Sequence, residues 1–223
     1  MKQSGWWVAW RLSVGVAFLG VAGQSAALEQ SACPPRDKPV QVDVRFEQTR
    51  PFVDDSRSRA WIQDNARALH HPIGLTASQL SHTLTVHFEV SGAEDRRSRC
   101  LYLRKLSLLL TYPETKIYIA NAYPAGSCEY QAIYRHEMEH VQVLNAHQER
   151  HLSDWRDHLQ ELARGVRPLL SGNPKQTQQE VLQRLDQKVR KEIERLDRYQ
   201  KAAQAEIDTP QNYAKVRASC QGW

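Results

Sequence analysis

Residues 126–165 read GSCEYQAIYRHEMEHVQVLNAHQERHLSDWRDHLQELARG, with neither glycine nor proline between the two end glycines. Ser127 is a residue type that caps a helix N-terminus, and Gly165 with Pro168 supplies a stop. The stretch therefore predicts one long helix over about 128–164. At 3.6 residues per turn, Val141, Leu144, Leu152, Trp155, Leu159 and Leu162 fall on one apolar stripe. Downstream, Asn173-Pro174 reads as a cap followed by proline at the first helical position. A second long helix is expected from there to about Asp208, stopped by Thr209-Pro210. Its apolar stripe is Leu182, Leu185, Val189, Ile193, Leu196, Tyr199 and Ala203. Two amphipathic helices with a short connection predict an antiparallel hairpin over 128–208.

Upstream the period changes from 3.6 to 2. Val40, Val42, Val44 and Phe46 alternate with polar residues, and so do Leu84, Val86, Phe88 and Val90. Each run reads as a strand with one wet face. A third strand is expected from Cys100 to Tyr112 and a short fourth from Lys116 to Ala120, with a short helix around Arg59–Leu69. Short turns between successive strands favour antiparallel pairing. The expected fold is therefore α+β: an antiparallel meander of about four strands in residues 40–121, then the helical hairpin.

Composition narrows the class. Hydrophobic residues make up 41% and charged residues 25%, with ten glycines and ten prolines, which excludes wholesale disorder and collagen-like repeats. The N-terminus carries Lys2 and Arg11, an apolar run and then Ser25, Ala26 and Ala27. These are the parts of a cleavable signal peptide, read as residues 1–27. The mature chain, 28–223, is expected to be a single domain, periplasmic or secreted, with no stable membrane insertion after cleavage. Losing Lys2 and Arg11 lowers the formal net charge from +5 to +3, a balance that carries no nucleic-acid footprint. The four cysteines, Cys33, Cys100, Cys128 and Cys220, suit two disulfides in an exported chain. The pairing expected is Cys33–Cys220, tying the ends of the mature chain, and Cys100–Cys128, tying a strand to the main helix. No C-x-x-C spacing is present, which argues against a cysteine zinc site.

Within the first helix, His136-Glu137-Met138-Glu139-His140 is an H-E-x-x-H motif. Residues i and i+4 stack on one helix face about 6 Å apart, so two imidazoles can grip one zinc ion. Glu137 lies beside that face and can take a proton from a water held by the ion. On so charged a helix the same residues also read as ordinary solvated side chains. His147, His151 and His158 fall close to the same line. His147 lies about 10 Å beyond His140 along the axis, too far to share its ion. His147 and His151 are themselves i, i+4 and could clip a second one. The third ligand must come from elsewhere. With the hairpin turn near residue 170, His136 faces roughly residue 204 and His140 roughly residue 200. The nearest acids at that level are Glu206 and Asp208, and the spacing does not choose between them.

The stretch CEYQAIYRHEMEHV, residues 128–141, resembles a family of bacterial exported zinc-dependent proteases, zincin-like in the broad sense. The likeness spans roughly residues 80–210. In that family a cysteine-containing meander leads into the motif, and a helical segment is followed by a short element with an aspartate and a threonine, here Glu206-Ile207-Asp208-Thr209. The resemblance implies one Zn2+ at His136 and His140, Glu137 as the base, and a protein or peptide substrate. It also implies strand addition of substrate at the strand before the motif helix, here Ile117–Ala120. Tyr118, Tyr123, Tyr130, Tyr134 and Tyr213 are candidate oxyanion donors. Two rival expectations stand beside this one. The first is a non-catalytic envelope protein whose helical hairpin binds a partner, with at most a structural metal. The second is periplasmic zinc or copper handling through the whole histidine stripe.

Overall fold

The most apolar strand lies in the middle of the larger of two sheets. The computed structural model describes residues 33–48, 50–66, 72–92, 97–221 and 223; the expected signal peptide lies outside the described residues. The elements are β1 (Gln41–Glu47), β2 (Phe52–Asp54), α1 (Arg59–Asn65), β3 (Gly74–Ala77), β4 (Ser81–Ser91), β5 (Arg99–Thr111), β6 (Lys116–Ile119), α2 (Cys128–Arg150), α3 (Leu152–Gly165), β7 (Leu169–Ser171), α4 (Pro174–Ala205) and α5 (Pro210–Ala218). The fold is α+β.

In the larger sheet β5 lies between β1 and β4, and β7 pairs with its first residues. Leu101 and Leu103 are buried, and so are Leu106, Leu108 and Leu110. The apolar positions change parity between the two sets. A bulge accounts for this: His87 of β4 pairs with Lys105 and Phe88 with Leu103, leaving Arg104 as the extra residue. One inserted residue returns the second set of leucines to the face of the first.

The expected meander is corrected here. β4 and β5 are antiparallel, but β1 pairs with β5 in parallel. Glu47 and Ser81 both pair with Thr111, so β4 starts at the end of the sheet where β1 stops, and β4 itself carries the chain back for β5 to run parallel to β1. β2, α1 and β3 lie between β1 and β4 in the chain. β2 and β3 build a second sheet of order β2-β6-β3. Strands of three and four residues are too short to show alternation, so neither was expected.

The expected helix over 128–164 is divided. It breaks at His151, which leaves helical geometry with φ −96° and ψ 6°. The two parts cover different sheets. α2 packs on β3 and β6, whereas α3 packs on β1 and β5, and a straight rod would not cover both. Ile133 and Val141 join a core with Ile73, Ile117 and Ile119. Trp155, Leu159 and Ala163 join the larger core with Val181, Leu185, Val189 and Leu196 of α4. Tyr199, expected on the buried stripe, is 58% exposed, and Val181 is buried instead.

α4 runs antiparallel to α2 and α3. Its Gln204 meets His140, about four residues from the expected register. Tyr112 at the end of β5 sets the level: its hydroxyl donates to Gln200 Oε1 at 2.6 Å and accepts from Gln148 Nε2 at 3.1 Å. Thr209-Pro210 does end the second helix region, but it also begins α5. The Thr209 hydroxyl accepts from the Asn212 N–H at 3.2 Å and proline occupies the first turn, so the stop is equally a start signal.

The disulfide pairing also differs from the expected Cys33–Cys220 and Cys100–Cys128. Cys33 is bonded to Cys100 and Cys128 to Cys220, with Cα–Cα distances of 5.6 and 5.8 Å. Cys100 opens β5, about 36 Å of strand before the end from which β6 and α2 are built. α5 folds back on α2 and brings Cys220 to the first residue of that helix. Closing loops of 67 and 92 residues stabilises the chain by about 4 kcal/mol each on a loop-entropy argument. Two disulfides fit an oxidising, exported environment. No helix among the described residues is long and apolar enough to cross a membrane.

Candidate metal centre

The motif face of α2 is not solvated. His136, Glu137 and His140 are 3%, 2% and 6% exposed, because α2 is enclosed by the second sheet, α4 and α5. Burying three titratable side chains together is costly unless they are paired or coordinate a cation.

The turn after α4 supplies the third group. Asn212 Nδ2 donates to the Ile207 carbonyl at 3.0 Å, holding the 206–209 turn against the start of α5. Asp208 Oδ1 then lies 3.1 Å from His140 Nε2 and 3.4 Å from His136 Nε2. One donor atom from each residue lies within 4.8 Å of the other two. A tetrahedral ion with bonds of about 2.0–2.1 Å separates neighbouring donors by about 3.3–3.4 Å. The observed spacings suit such an ion, and 3.4 Å is long for a hydrogen bond. His136, His140 and Asp208 can therefore hold a metal ion, and three protein donors leave one tetrahedral position open. Glu206 is exposed at the C-cap of α4 and stands outside the group, so of the two candidate acids it is Asp208 that reaches the histidines.

A second layer fixes these donors. Gln204 Oε1 accepts from His140 Nδ1, and Gln204 Nε2 donates to the His140 carbonyl at 3.1 Å. The Nδ1 proton leaves the Nε2 lone pair directed at the group, the tautomer that metal ligation requires. The Tyr213 hydroxyl donates to Asp208 Oδ1 at 2.8 Å, and its ring stands 5.0 Å from the His136 ring.

β3 positions Glu137. The Thr76 hydroxyl donates to it, 2.8 Å from Oε2 and 3.0 Å from its backbone carbonyl. Gly74 gives the carboxyl room: a Cβ there would stand 2.5 Å from Glu137 Oε1 and 2.6 Å from Ile133 Cγ2. A cleft of about 520 Å³ runs past Gly74, Thr76, Glu137, His140 and Asp208. The strand beside this cleft differs from the one expected. β6, containing Ile117–Ile119, has partners on both sides and has no edge to offer, whereas β3 ends the sheet among the described residues.

Electrostatics follow from this crowding. Burial pushes the Glu137 carboxyl above its usual range, against the opposing pull of His140 and His136. Burial disfavours the His140 imidazolium, but the Asp208 and Glu137 carboxylates outweigh it and push its pKa up to about 9. Burial also opposes ionisation of Asp208, yet hydrogen bonds from His136 and His140 hold it well below the usual carboxylate range. Burial and the Asp208 charge raise the Tyr213 phenol, so it stays a donor. A metal-free site thus holds a proton on His140 that a cation must displace.

Of the candidate oxyanion donors, only Tyr213 touches the group, and its hydroxyl is engaged by Asp208. Tyr118 packs at a tilt against Trp61 and Tyr123 against Trp223, while Tyr130 and Tyr134 pack at the rim of the smaller core. The sequence reading missed Gln204, Thr76 and Gly74. Gln204 stands at the level of the hairpin where acids alone were expected to contribute. Thr76 and Gly74 carried no local signal, because their strand is four residues long. No protein-family model, curated protein or solved structure matches the chain.

Proposed function

We propose that the chain is an exported zinc-dependent peptidase. The observation that carries this reading is a buried carboxylate, Glu137, beside three convergent donors that leave one coordination position free. Two histidines and a carboxylate are a zinc donor set. A zinc ion bound there supplies Lewis acidity, bringing the pKa of a water toward neutrality and polarising a peptide carbonyl. Glu137 accepts the proton of the attacking water and returns it to the leaving nitrogen, a role suited to a carboxyl whose pKa burial has raised. Thr76 keeps that carboxylate in one orientation. Asp208, held by Tyr213, and His140, held by Gln204, keep the donors in place. The open edge of β3 offers backbone N–H and C=O groups to an extended peptide lying along the cleft.

The test is hydrolysis of a casein or mixed-peptide substrate by zinc-loaded wild type and Glu137→Gln. The variant should bind the same amount of zinc and lose about 10²–10⁴-fold in rate. Equal rates would refute the peptidase reading. So would zinc-loaded wild type that cleaves nothing, which would favour the partner-binding alternative.

A further inference from the structure

About two helical turns beyond His140, α2 ends in a second histidine pair. His147 and His151 are four residues apart, and their ring centres are 4.6 Å apart. His147 is 4% exposed, and its Nε2 is buried with no hydrogen-bond partner. On His151, Nδ1 lies 2.7 Å from Asp154 Oδ2, which leaves Nε2 available.

The Asp154 carboxylate orients the His151 ring and raises its ligand basicity, as the surroundings of metal-ligating histidines do. A buried imidazole nitrogen without a partner is costly to a fold unless something satisfies it. The spacing is also suitable. Two ligands at a right angle, with bonds of about 2 Å and ring centres about 1.2 Å behind each nitrogen, put the ring centres about 4.5 Å apart. Of the charges nearby, Asp154 favours a cation and Arg150 opposes it. The His151 side chain is 31% exposed, so an ion could enter from solvent and keep water at its other positions.

We propose that His147 and His151 form a second, solvent-open clip for a divalent first-row transition-metal ion. The site is separate from the His136–His140–Asp208 group and does not depend on its activity. Two imidazoles with water completing a tetragonal shell suit Cu2+ best, with Ni2+ and Zn2+ weaker.

The experiment is Cu2+ titration of the full chain in the His140→Ala background, followed by calorimetry and by electron paramagnetic resonance. The expected result is one Cu2+ with two coordinated ring nitrogens, which is lost on adding His151→Ala. Asp154→Asn, an exposed substitution, should weaken binding by about tenfold. If His140→Ala fails to fold, the same titration on wild type should show two ions and His151→Ala one. Copper binding unchanged by His151→Ala in either background would overturn the proposal, as would a two-nitrogen signal that survives it.

Discussion

The two sheets of this protein are built from different materials. The larger one rests on leucines of a thirteen-residue strand, β5, covered by α3 and α4. Its buried residues are almost wholly apolar, and its stability comes from area removed from water. The smaller sheet has strands of three and four residues. It faces α2, and beside a few isoleucines it meets Glu137 through Thr76 and Gly74. The lesson is a division of labour along the helical layer. Past the break at His151 the helix holds the larger sheet, and before it the helix carries four buried titratable groups, His136, Glu137, His140 and His147. The candidate metal group lies beside the sheet with the shorter strands, and the Cys128–Cys220 disulfide pins α5 to that region.

Substitutions that touch only one sheet should separate the two roles. Leu106→Ala in β5 should cost about 2–5 kcal/mol of stability, read as a fall in denaturation midpoint, while metal affinity at low temperature stays unchanged. If affinity falls with it, the sheets are not independent. Gly74→Ala should do the reverse. The new methyl pushes Glu137 out of place, so hydrolysis should fall by roughly 10²-fold with metal content intact, as measured by elemental analysis. Unaltered turnover would mean that the carboxylate does not need its seat on β3. Gln204→Ala removes the acceptor of His140 Nδ1 and should weaken metal binding by about 10–100-fold; competition with a chelator measures it.

The smallest effect concerns pH. His140 has its pKa raised from 6.5 to about 9 in the metal-free fold. Its contribution to stability is therefore complete below pH 6.5 and is lost as pH rises toward 9. Asp208 is depressed, so its contribution persists across this window and is lost only in acid. The metal-free chain should thus show a Tm that falls by a few degrees between pH 6.5 and 9. The metal-loaded chain should not, since a ligated His140 holds no proton there. Parallel curves for the two forms would count against ligation by His140.

Much of this division could be read from residues alone, and what could not has a physical reason. Period-two runs marked β1 and β4, because each is long enough to repeat its pattern, and β5 was expected as a long third strand although its bulge breaks the period. β2, β3 and β7, with three or four residues, carry no period at all. The parallel pairing of β1 with β5 follows from β4 starting at the end of the sheet where β1 stops, which no local pattern records. His136, Glu137 and His140 were legible because i, i+4 spacing is local. Asp208 was one of two candidates that only the turn into α5 separates. Thr76 and Gly74 became visible only once β3 lay against α2. The cysteines announced two disulfides, but their partners depend on where α5 folds back.

The central claim is that His136, His140 and Asp208 hold one tightly bound zinc. It is tested most directly by the zinc content of the chain after dialysis against buffered nanomolar free zinc, beside His140→Ala and Asp208→Ala. Circular dichroism would confirm that all three are folded. The account predicts about one zinc per chain in wild type and none in either variant. A wild type without zinc, or an Asp208→Ala chain that keeps it, would contradict the account.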